Sequence, residues 1–529
     1  MRLGEHVLSL AEQFPTDTAV IFRDTSTSYS ELATAIRYTA AAFRSLGLEP
    51  GDRVALLLPN CPPFVLGYYG ATLIDVVVVP ANPLLKPAEL TYIWSDAAIK
   101  LVITIPQLLA HVQAARASLP LLKHVICAAA RSELPAEPGA DVDGLVTLDE
   151  FLTLGARALT ADAGYLERPE ADVNACAVII YTSGTTGHPK GAMLSHNNLS
   201  SNVRQARQAL EIRKSDVFLT ILPLFHSFSG TVCMNIPLML GCTAVLVESF
   251  HPARVFETME RHGVTIFAGV PTLYHALLQH TPEREYDLKA LRLTISGGAP
   301  LPTTTMASIE ARFGVPVLEG DGPTECSPAT SLNPLNGVRK PGSVGVPLPG
   351  VDIAIFDEQD RVVPTDELGE IVVRGENVML GYLNQPEATA EVMTNGWYHT
   401  GDIGKIDSDG YVFILDRKKD MVITAGLNVY PREIEEVLFA HPAVADCAVI
   451  GLPEAVRGEE VVAVVIKRSE ASVSERELVV HCRERLANYK VPRKVIFREV
   501  LPRGGTGKVV KRLLKKELEL ELLARDTNE

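Results

Sequence analysis

The run Tyr181-Thr182-Ser183-Gly184-Thr185-Thr186-Gly187-His188-Pro189-Lys190-Gly191 packs four Ser/Thr hydroxyls, three glycines and one lysine into a single stretch. Glycines let backbone N–H groups come close to a polyanion, hydroxyls add donors, and Lys190 adds a point charge. The chemistry this suits is a grip on phosphate groups. The spacing is not G-x-x-x-x-G-K-[ST], so this is not the phosphate loop of ordinary NTPases. Composition alone leaves a flexible surface loop as the alternative. Charge concentrates again near the end: residues 488–516 carry ten Lys or Arg against one acid, Glu499, and Lys508 lies among them. A solvated basic helix is the plain alternative for part of that stretch.

Something must hold these loops in place. Residues 176–181 form a short apolar, β-branched run that reads as a buried strand feeding the hydroxyl loop. Residues 199–210 read as the helix after it, with Asn197 or Asn198 as cap. The theme returns twice: a strand at 265–268 enters Gly269-Val270-Pro271-Thr272 and a helix, and a strand at 291–295 enters Ser296-Gly297-Gly298-Ala299-Pro300 and a helix. Repeated strand–loop–helix units predict a mostly parallel sheet covered by helices, with ligands at the carboxyl ends of its strands. After about Pro328, short strands at 351–356, 370–374 and 411–415 predict a small β subdomain. The charged run Asp416-Arg417-Lys418-Lys419-Asp420 marks a boundary. Beyond it, strands at 445–451, 461–467 and 494–498, a capping box at Ser474-x-x-Glu477 and a final helix from near Gly507 predict a small α+β unit.

Composition bounds the class. At 529 residues the chain is too long for one core, and two or more compact units are expected. A net charge of -15 repels polyanions, so nucleic acid is a poor partner. The eight cysteines are scattered with no C-x-x-C, as suits reduced cytosolic thiols, and the first fifteen residues have no signal-peptide core, so a cytoplasmic location is expected. Residues 217–247 contain no Asp, Glu, Lys or Arg and are long enough to span a bilayer, but Pro223, His226, Gly230, Asn235 and Pro237 interrupt them. A buried strand–loop–helix is the expectation. Peripheral membrane contact and a homodimer stay open.

The Tyr181–Gly191 string resembles the phosphate-binding signature of the adenylate-forming superfamily: acyl-CoA synthetases, peptide-synthetase adenylation domains and firefly-type luciferases. The resemblance continues in order from about Tyr29 to Leu513. It passes through Leu222-Pro223-Leu224-Phe225-His226-Ser227, Ser296-Gly297-Gly298-Ala299-Pro300-Leu301 and Gly320-Asp321-Gly322-Pro323-Thr324-Glu325, then Tyr398-His399-Thr400-Gly401-Asp402, the Asp416–Asp420 run, Gly426-x-x-x-x-Pro431-x-Glu433 and Pro502-x-x-x-x-Gly507-Lys508. It implies an α/β fold: a large N-terminal domain of αβ-layered sheets plus a small β subdomain (1–416), a hinge (417–420) and a small mobile α+β C-terminal lid domain (421–529). It implies ATP, Mg²⁺ and coenzyme A as cofactor and co-substrates, and activation of a carboxylic acid to acyl-AMP followed by transfer to CoA.

Residue roles follow from the same resemblance. Thr182, Ser183, Gly184, Thr185, Thr186, Gly187 and Lys190 would cradle the triphosphate, with Glu325 and Thr185 as Mg²⁺ ligands. A hard cation bridging phosphates takes only one or two protein carboxylates. Thr324 would bond the α-phosphate, Asp402 the ribose, with Arg417 assisting. Gly297, Gly298, Ala299, Gly320 and Gly322 would line the adenine site. Lys508 would neutralise the two anions that meet when the carboxylate attacks the α-phosphorus. Lys419 would be the hinge and Gly426 would open the pantetheine channel. One departure stands out: the usual adenine-stacking aromatic is replaced by Asp321, which implies altered ATP affinity.

His226 stands where amino-acid-activating relatives carry an Asp, and no carboxylate occurs in residues 225–230. That argues against an amino acid; the neighbours Phe228, Val232, Met234, Ile236, Leu238 and Met239 would suit a fatty or other apolar acid, with core as the plain alternative for most of them, and the resemblance makes His226 a gate beside its carboxylate. Two rivals remain at this level: an aryl or carbocyclic acid–CoA ligase or a relative with another acceptor, and a lipid-binding protein that has lost catalysis.

Overall fold

The computed structural model describes residues 1–529 except 130–144, 168–169, 183–188, 425–426, 455–457, 470, 504–508 and 527–529, and the side chains of 522–526. Two large sheets build the first lobe. The nine-stranded sheet is parallel through Val317–Asp321, Leu293–Ser296, Ile266–Gly269, Val217–Thr220, Thr243–Leu246 and Thr18–Phe22, in that spatial order. The eight-stranded sheet runs parallel from Cys176–Thr182 through Val77–Pro80, Arg53–Leu57, Ile99–Thr104, His124–Cys127 and Leu145–Thr147. The strand expected at 176–181 is therefore present, and those expected at 265–268 and 291–295 appear one or two residues later.

The expectation of a mostly parallel arrangement needs one correction, at the phosphate loop itself. Lys190–Ser195 turns back antiparallel on Cys176–Thr182, and Gly381–Tyr382 adds a second antiparallel edge. Short Gly-rich loops close hairpins, whereas parallel crossovers need a helix between strands.

Parallel sheets must be covered on both faces. Helix Pro62–Leu73 has no charged residue and buries nine of its twelve residues, as an element packed on all sides must. With helix Tyr29–Ser45 it places Tyr29, Phe43, Phe64 and Tyr69, each fully buried, in one core that both sheets share. The Tyr29 hydroxyl donates to the Cys242 carbonyl at 2.7 Å, so the ring is buried without stranding its polar end.

The helix after the hairpin is His196–Leu210, and its cap is Ser195 rather than Asn197 or Asn198. Ser195 Oγ accepts from Asn198 N at 3.0 Å while Asn198 Oδ1 accepts from Ser195 N at 2.8 Å. Asn198 thus fills the place a Glu or Gln usually takes in a capping box, which hid the true start. The charge-free stretch 217–247 is a strand, three short helical pieces (Ser227–Ser229, Gly230–Asn235, Ile236–Leu240) and a strand. Among the described residues no helix is long and apolar enough to cross a membrane.

The β subdomain is an antiparallel sheet of Val351–Phe356, Gly369–Gly375, Trp397–Ile406, Met393–Thr394 and Val412–Arg417. The last lobe has its own sheet, in which the long hairpin Val444–Glu454/Gly458–Lys467 is joined by Val422–Thr424, Leu427–Val429 and Lys494–Phe497. Alternate residues of that hairpin face opposite cores. Val449 and Val465 pack with Ile434 and Leu478, while Ala448 and Val464 pack with Leu514 and Leu518. The Ser474–Glu477 capping box is present. The last helix begins at Lys511, not near Gly507, because Arg503 first pairs with Val509 and Val510 N bonds to the Pro502 carbonyl at 2.8 Å.

Candidate active site

The phosphate hairpin reaches Glu325 through a tyrosine. Lys190 Nζ lies 5.1 Å from the centre of the Tyr382 ring, and the Tyr382 hydroxyl donates to Glu325 Oε1 at 2.8 Å. Three stretches far apart in sequence are thereby stitched together by backbone as well. Gly381–Tyr382 pairs with Met193 and Ala192, and Met379 N donates to the Glu325 carbonyl at 2.7 Å. Glu325 is only 8 % exposed, and Oε2 has no hydrogen-bond partner among the described residues. Burial, and then the Glu325 charge, push the Tyr382 hydroxyl far above its ordinary range, so it stays a donor. One buried carboxylate with a free oxygen suits a cation that takes most of its ligands from phosphate and water. No cluster of three or more acidic, His or Cys side chains that could hold a metal alone occurs among the described residues.

Thr324 and Glu325 sit on a single 3₁₀ turn, Thr324–Cys326. Thr324 Oγ1 lies 3.0 Å from Ser227 Oγ, which ties this turn to the His226 segment. The approach requires Gly322: a Cβ there would stand 2.1 Å from the Pro328 carbonyl oxygen. Gly297, Gly298 and Ala299 follow the Leu293–Ser296 strand, and Gly298 has φ +78, which only glycine adopts without strain. Gly320 and Asp321 end the neighbouring strand.

Arg417 Nε contacts Asp402 Oδ1 at 2.7 Å, with Asp402 the better buried of the two. Desolvation works against the Arg417 charge, but Asp402, then Asp321, Tyr398 and Glu325, outweigh it and raise its pKa. Asp321 is therefore part of this charged cluster, in contact with the arginine's field rather than merely an absent aromatic. Lys419 is exposed on the turn that follows, where Asp420 N and Met421 N both bond to the Arg417 carbonyl at 3.0 and 3.1 Å.

A cavity of about 580 Å³ opens beside His226 and the loop at 298–302, between the two lobes. The large lobe lines it with His226, Phe228, Val270, Ala299 and Leu301; the small lobe adds Arg432, Glu435 and Phe439. His226 Nδ1 accepts from Phe228 N at 3.3 Å, and burial lowers its pKa to about 4, so it stays neutral near pH 7. Across the boundary Asp416 accepts from Arg417 N and Arg432 N, both at 2.8 Å, and Arg432 Nη1 donates to the Ile414 carbonyl at 2.7 Å.

Ser183, Gly184, Thr185, Thr186, Gly187, Gly426 and Lys508 lie outside the described residues. Thr182 is at the end of its strand, opposite Lys190 in register. Tyr382 and Ser227 as the partner of Thr324 were missed by sequence reasoning, and Asp416 was placed in the boundary run but not as the acceptor of Arg432 N. Tyr382 stands 57 residues from Glu325 and 192 from Lys190, and no spacing rule connects them.

The comparisons agree with this geometry. The family described as AMP-binding enzyme matches residues 9–383, and its C-terminal domain matches residues 433–508. A long-chain-fatty-acid–CoA ligase of Bacillus subtilis (strain 168) is 36 % identical over 96 % of this chain and 93 % of its own length. A feruloyl-CoA synthase of an Amycolatopsis species is also 36 % identical, over 96 % of this chain and 97 % of its own. The crystal structure of ATP-bound MatB from Rhodopseudomonas palustris superposes with a TM-score of 0.87 at 34 % identity, covering 98 % of this chain and 99 % of that one. With both parts of the family matched in order along the chain, this protein belongs to the AMP-binding enzyme family as an ATP-dependent, AMP-forming acyl-CoA synthetase.

Proposed function

We propose that this enzyme activates a fatty or other apolar carboxylic acid to acyl-AMP and passes the acyl group to coenzyme A, releasing AMP and pyrophosphate. The observation that carries the choice of acid is the cavity beside His226. Its large-lobe wall is mostly apolar, with Leu222, Phe228, Val270, Ala299 and Leu301 outweighing Ser229, Thr272, His275 and Thr304, His226 is neutral, and residues 225–230 offer no carboxylate to a substrate ammonium.

The residues take these parts. Glu325 would hold Mg²⁺, with Thr185 as second ligand, and the ion would supply charge neutralisation at the phosphates. Tyr382 fixes the other oxygen of Glu325, and Lys190 with the hydroxyls of 182–186 binds the phosphates. Thr324 donates to the α-phosphate, Asp402 accepts from the ribose hydroxyls and Arg417 holds Asp402 in place. Gly297, Gly298, Ala299, Gly320, Asp321 and Gly322 border the base. The acid's carboxylate attacks the α-phosphorus, a bond forms to its oxygen, and the bond to pyrophosphate breaks. Lys508 neutralises both anions in that step. The lobes then turn about Lys419, within a domain division of 1–416, 417–420 and 421–529, and the CoA thiol enters past Gly426 to displace AMP from the acyl carbon.

An acid panel scored by AMP release with and without CoA tests the reading. Medium and long straight chains should turn over in a CoA-dependent way; turnover confined to aromatic acids or short diacids would overturn the substrate class. Lys508→Ala should cut adenylation by about three orders of magnitude while thiolation of supplied acyl-AMP survives. Equal loss in both steps would remove the division of labour.

A further inference from the structure

Beneath the loop at 297–301 lies an acid that none of the roles above uses. Glu319, on the Val317–Asp321 strand, is 2 % exposed. Its Oε1 accepts from Leu301 N at 2.9 Å, at the end of that loop. Its Oε2 is buried without a partner among the described residues. In the parallel register Glu319 stands opposite Ser296, the residue that leads into Gly297 and Gly298. Register partners in adjacent strands put their side chains on the same face, about 5 Å apart. Ser296 Oγ is likewise fully buried and without a partner.

We propose that Glu319 is a positioning residue for the nucleotide site, which as the neutral acid holds the loop at 297–301 from below and on ionisation releases it. A neutral carboxyl can accept from Leu301 N with one oxygen and carries a donor on the other; Glu319 Oε2 and Ser296 Oγ are not bonded to each other as they stand, and a rotation of these facing side chains is needed for that donor to reach the hydroxyl. An ionised one keeps only acceptors and is buried with a single N–H donor, an arrangement that desolvation disfavours. Burial accordingly pushes the Glu319 carboxyl up to about 7, against the partial relief of the Leu301 N–H. The charged groups facing it are Asp321 on its own strand, and Arg432 and Glu436 on the small lobe's Pro431–Phe439 helix. Arg432 is the cation among them and favours the ionised acid, but its guanidinium already pairs with Glu436, which opposes it.

The inference rests on residues 297–299 bordering the bound nucleotide. Its test compares the full-length wild type with Glu319→Gln, which keeps an acceptor for Leu301 N but cannot ionise. ATP dependence of acid-dependent pyrophosphate exchange is measured from about pH 5.5 to about pH 8.5. The ratio of wild-type to Gln KM for ATP should start near one and rise about fivefold through neutrality, with the kcat ratio nearly constant. The comparison with Gln cancels the titration of ATP itself. Glu319→Ala, which loses the Leu301 bond, should raise KM about tenfold at every pH.

A pH-independent ratio overturns the proposal, as does a change confined to kcat. Should the Gln variant not fold, Ser296→Ala serves: removing the hydroxyl should move the midpoint of the KM rise by about half a pH unit or more, and an unmoved midpoint overturns the proposal. Absence of exchange with every acid in the wild type would defeat the proposed function instead. In that case the rise in Tm caused by ATP still tests Glu319. It should shrink with increasing pH in the wild type and not in Gln, and identical behaviour of the two overturns the inference.

Discussion

The Glu325 corner and the boundary between the lobes solve positioning in opposite ways. At Glu325 the contacts are short, buried and mostly uncharged: Tyr382 to Glu325, Ser227 to Thr324, Met379 N to the Glu325 carbonyl, and a Gly322 with no room for a methyl. At the boundary two hydrogen bonds cross between the lobes, Arg432 N to Asp416 and Arg432 Nη1 to the Ile414 carbonyl, and the charged side chains beside them pair within the small lobe: Arg432 Nε with Glu436 at 3.3 Å and Lys511 with Glu435 at 2.8 Å. Buried polar networks fix one geometry because each lost partner is costly. Part-exposed ion pairs are worth little individually and can be exchanged with water or a new partner. On the roles proposed above, the tightly packed contacts would lie where phosphate charge is met, and the part-exposed Arg432–Glu436 pair beside the boundary that the lobes would turn across.

Mutations can break that contrast. The largest effect is expected at Glu325→Ala, where acid-dependent pyrophosphate exchange should fall about a thousandfold, or ~4 kcal/mol of transition-state stabilisation; a loss of tenfold or less would show that the corner is not where the metal and phosphates are held. Gly322→Ala comes next. Its methyl overlaps the Pro328 carbonyl, so the turn must shift, and exchange should drop about a hundredfold with a stability cost of about 2 kcal/mol in denaturant titration. Tyr382→Phe keeps the ring under Lys190 but leaves Glu325 Oε1 without its donor. It should cost about tenfold in kcat, with added Mg²⁺ recovering part of the loss. Asp321→Tyr should raise KM for ATP about fivefold by removing a negative charge from the Arg417 cluster; a fall in KM would mean the ring restores stacking at no cost. The smallest effect belongs to the boundary. Arg432→Ala should change exchange by about twofold and overall CoA-dependent turnover by about fivefold. If Arg432→Ala hurt exchange as much as Tyr382→Phe, the two regions would not differ in kind.

Much of this was legible before any coordinates. Strands at 176–181, 265–268 and 291–295 announced themselves by short β-branched runs ending in glycine-rich loops, and each loop does sit at a strand's carboxyl end. The capping box at Ser474 was legible because its two partners are three residues apart. What could not be read were pairings between residues distant in sequence. Nothing in the order of residues says that Gly381–Tyr382 returns to the hairpin edge, that Ser227 meets Thr324, or that Glu319 stands opposite Ser296. Sheet register decides these, and register is set by the whole core rather than by local spacing. The cap at Ser195 failed for a local reason, an Asn standing in for Glu at the third helical position.

The late two-residue strand has a consequence for biosynthesis. Until Gly381 and Tyr382 emerge from the ribosome, Lys190–Ser195 is the outermost strand of its sheet, with backbone donors and acceptors turned outward. Unprotected edges of that sort invite pairing with other chains. A nascent chain halted shortly before that point would carry most of its catalytic groups, an unfinished Glu325 corner and a sticky border, so chaperone demand should peak just before residue 381 is made and decline once Tyr382 closes the seam.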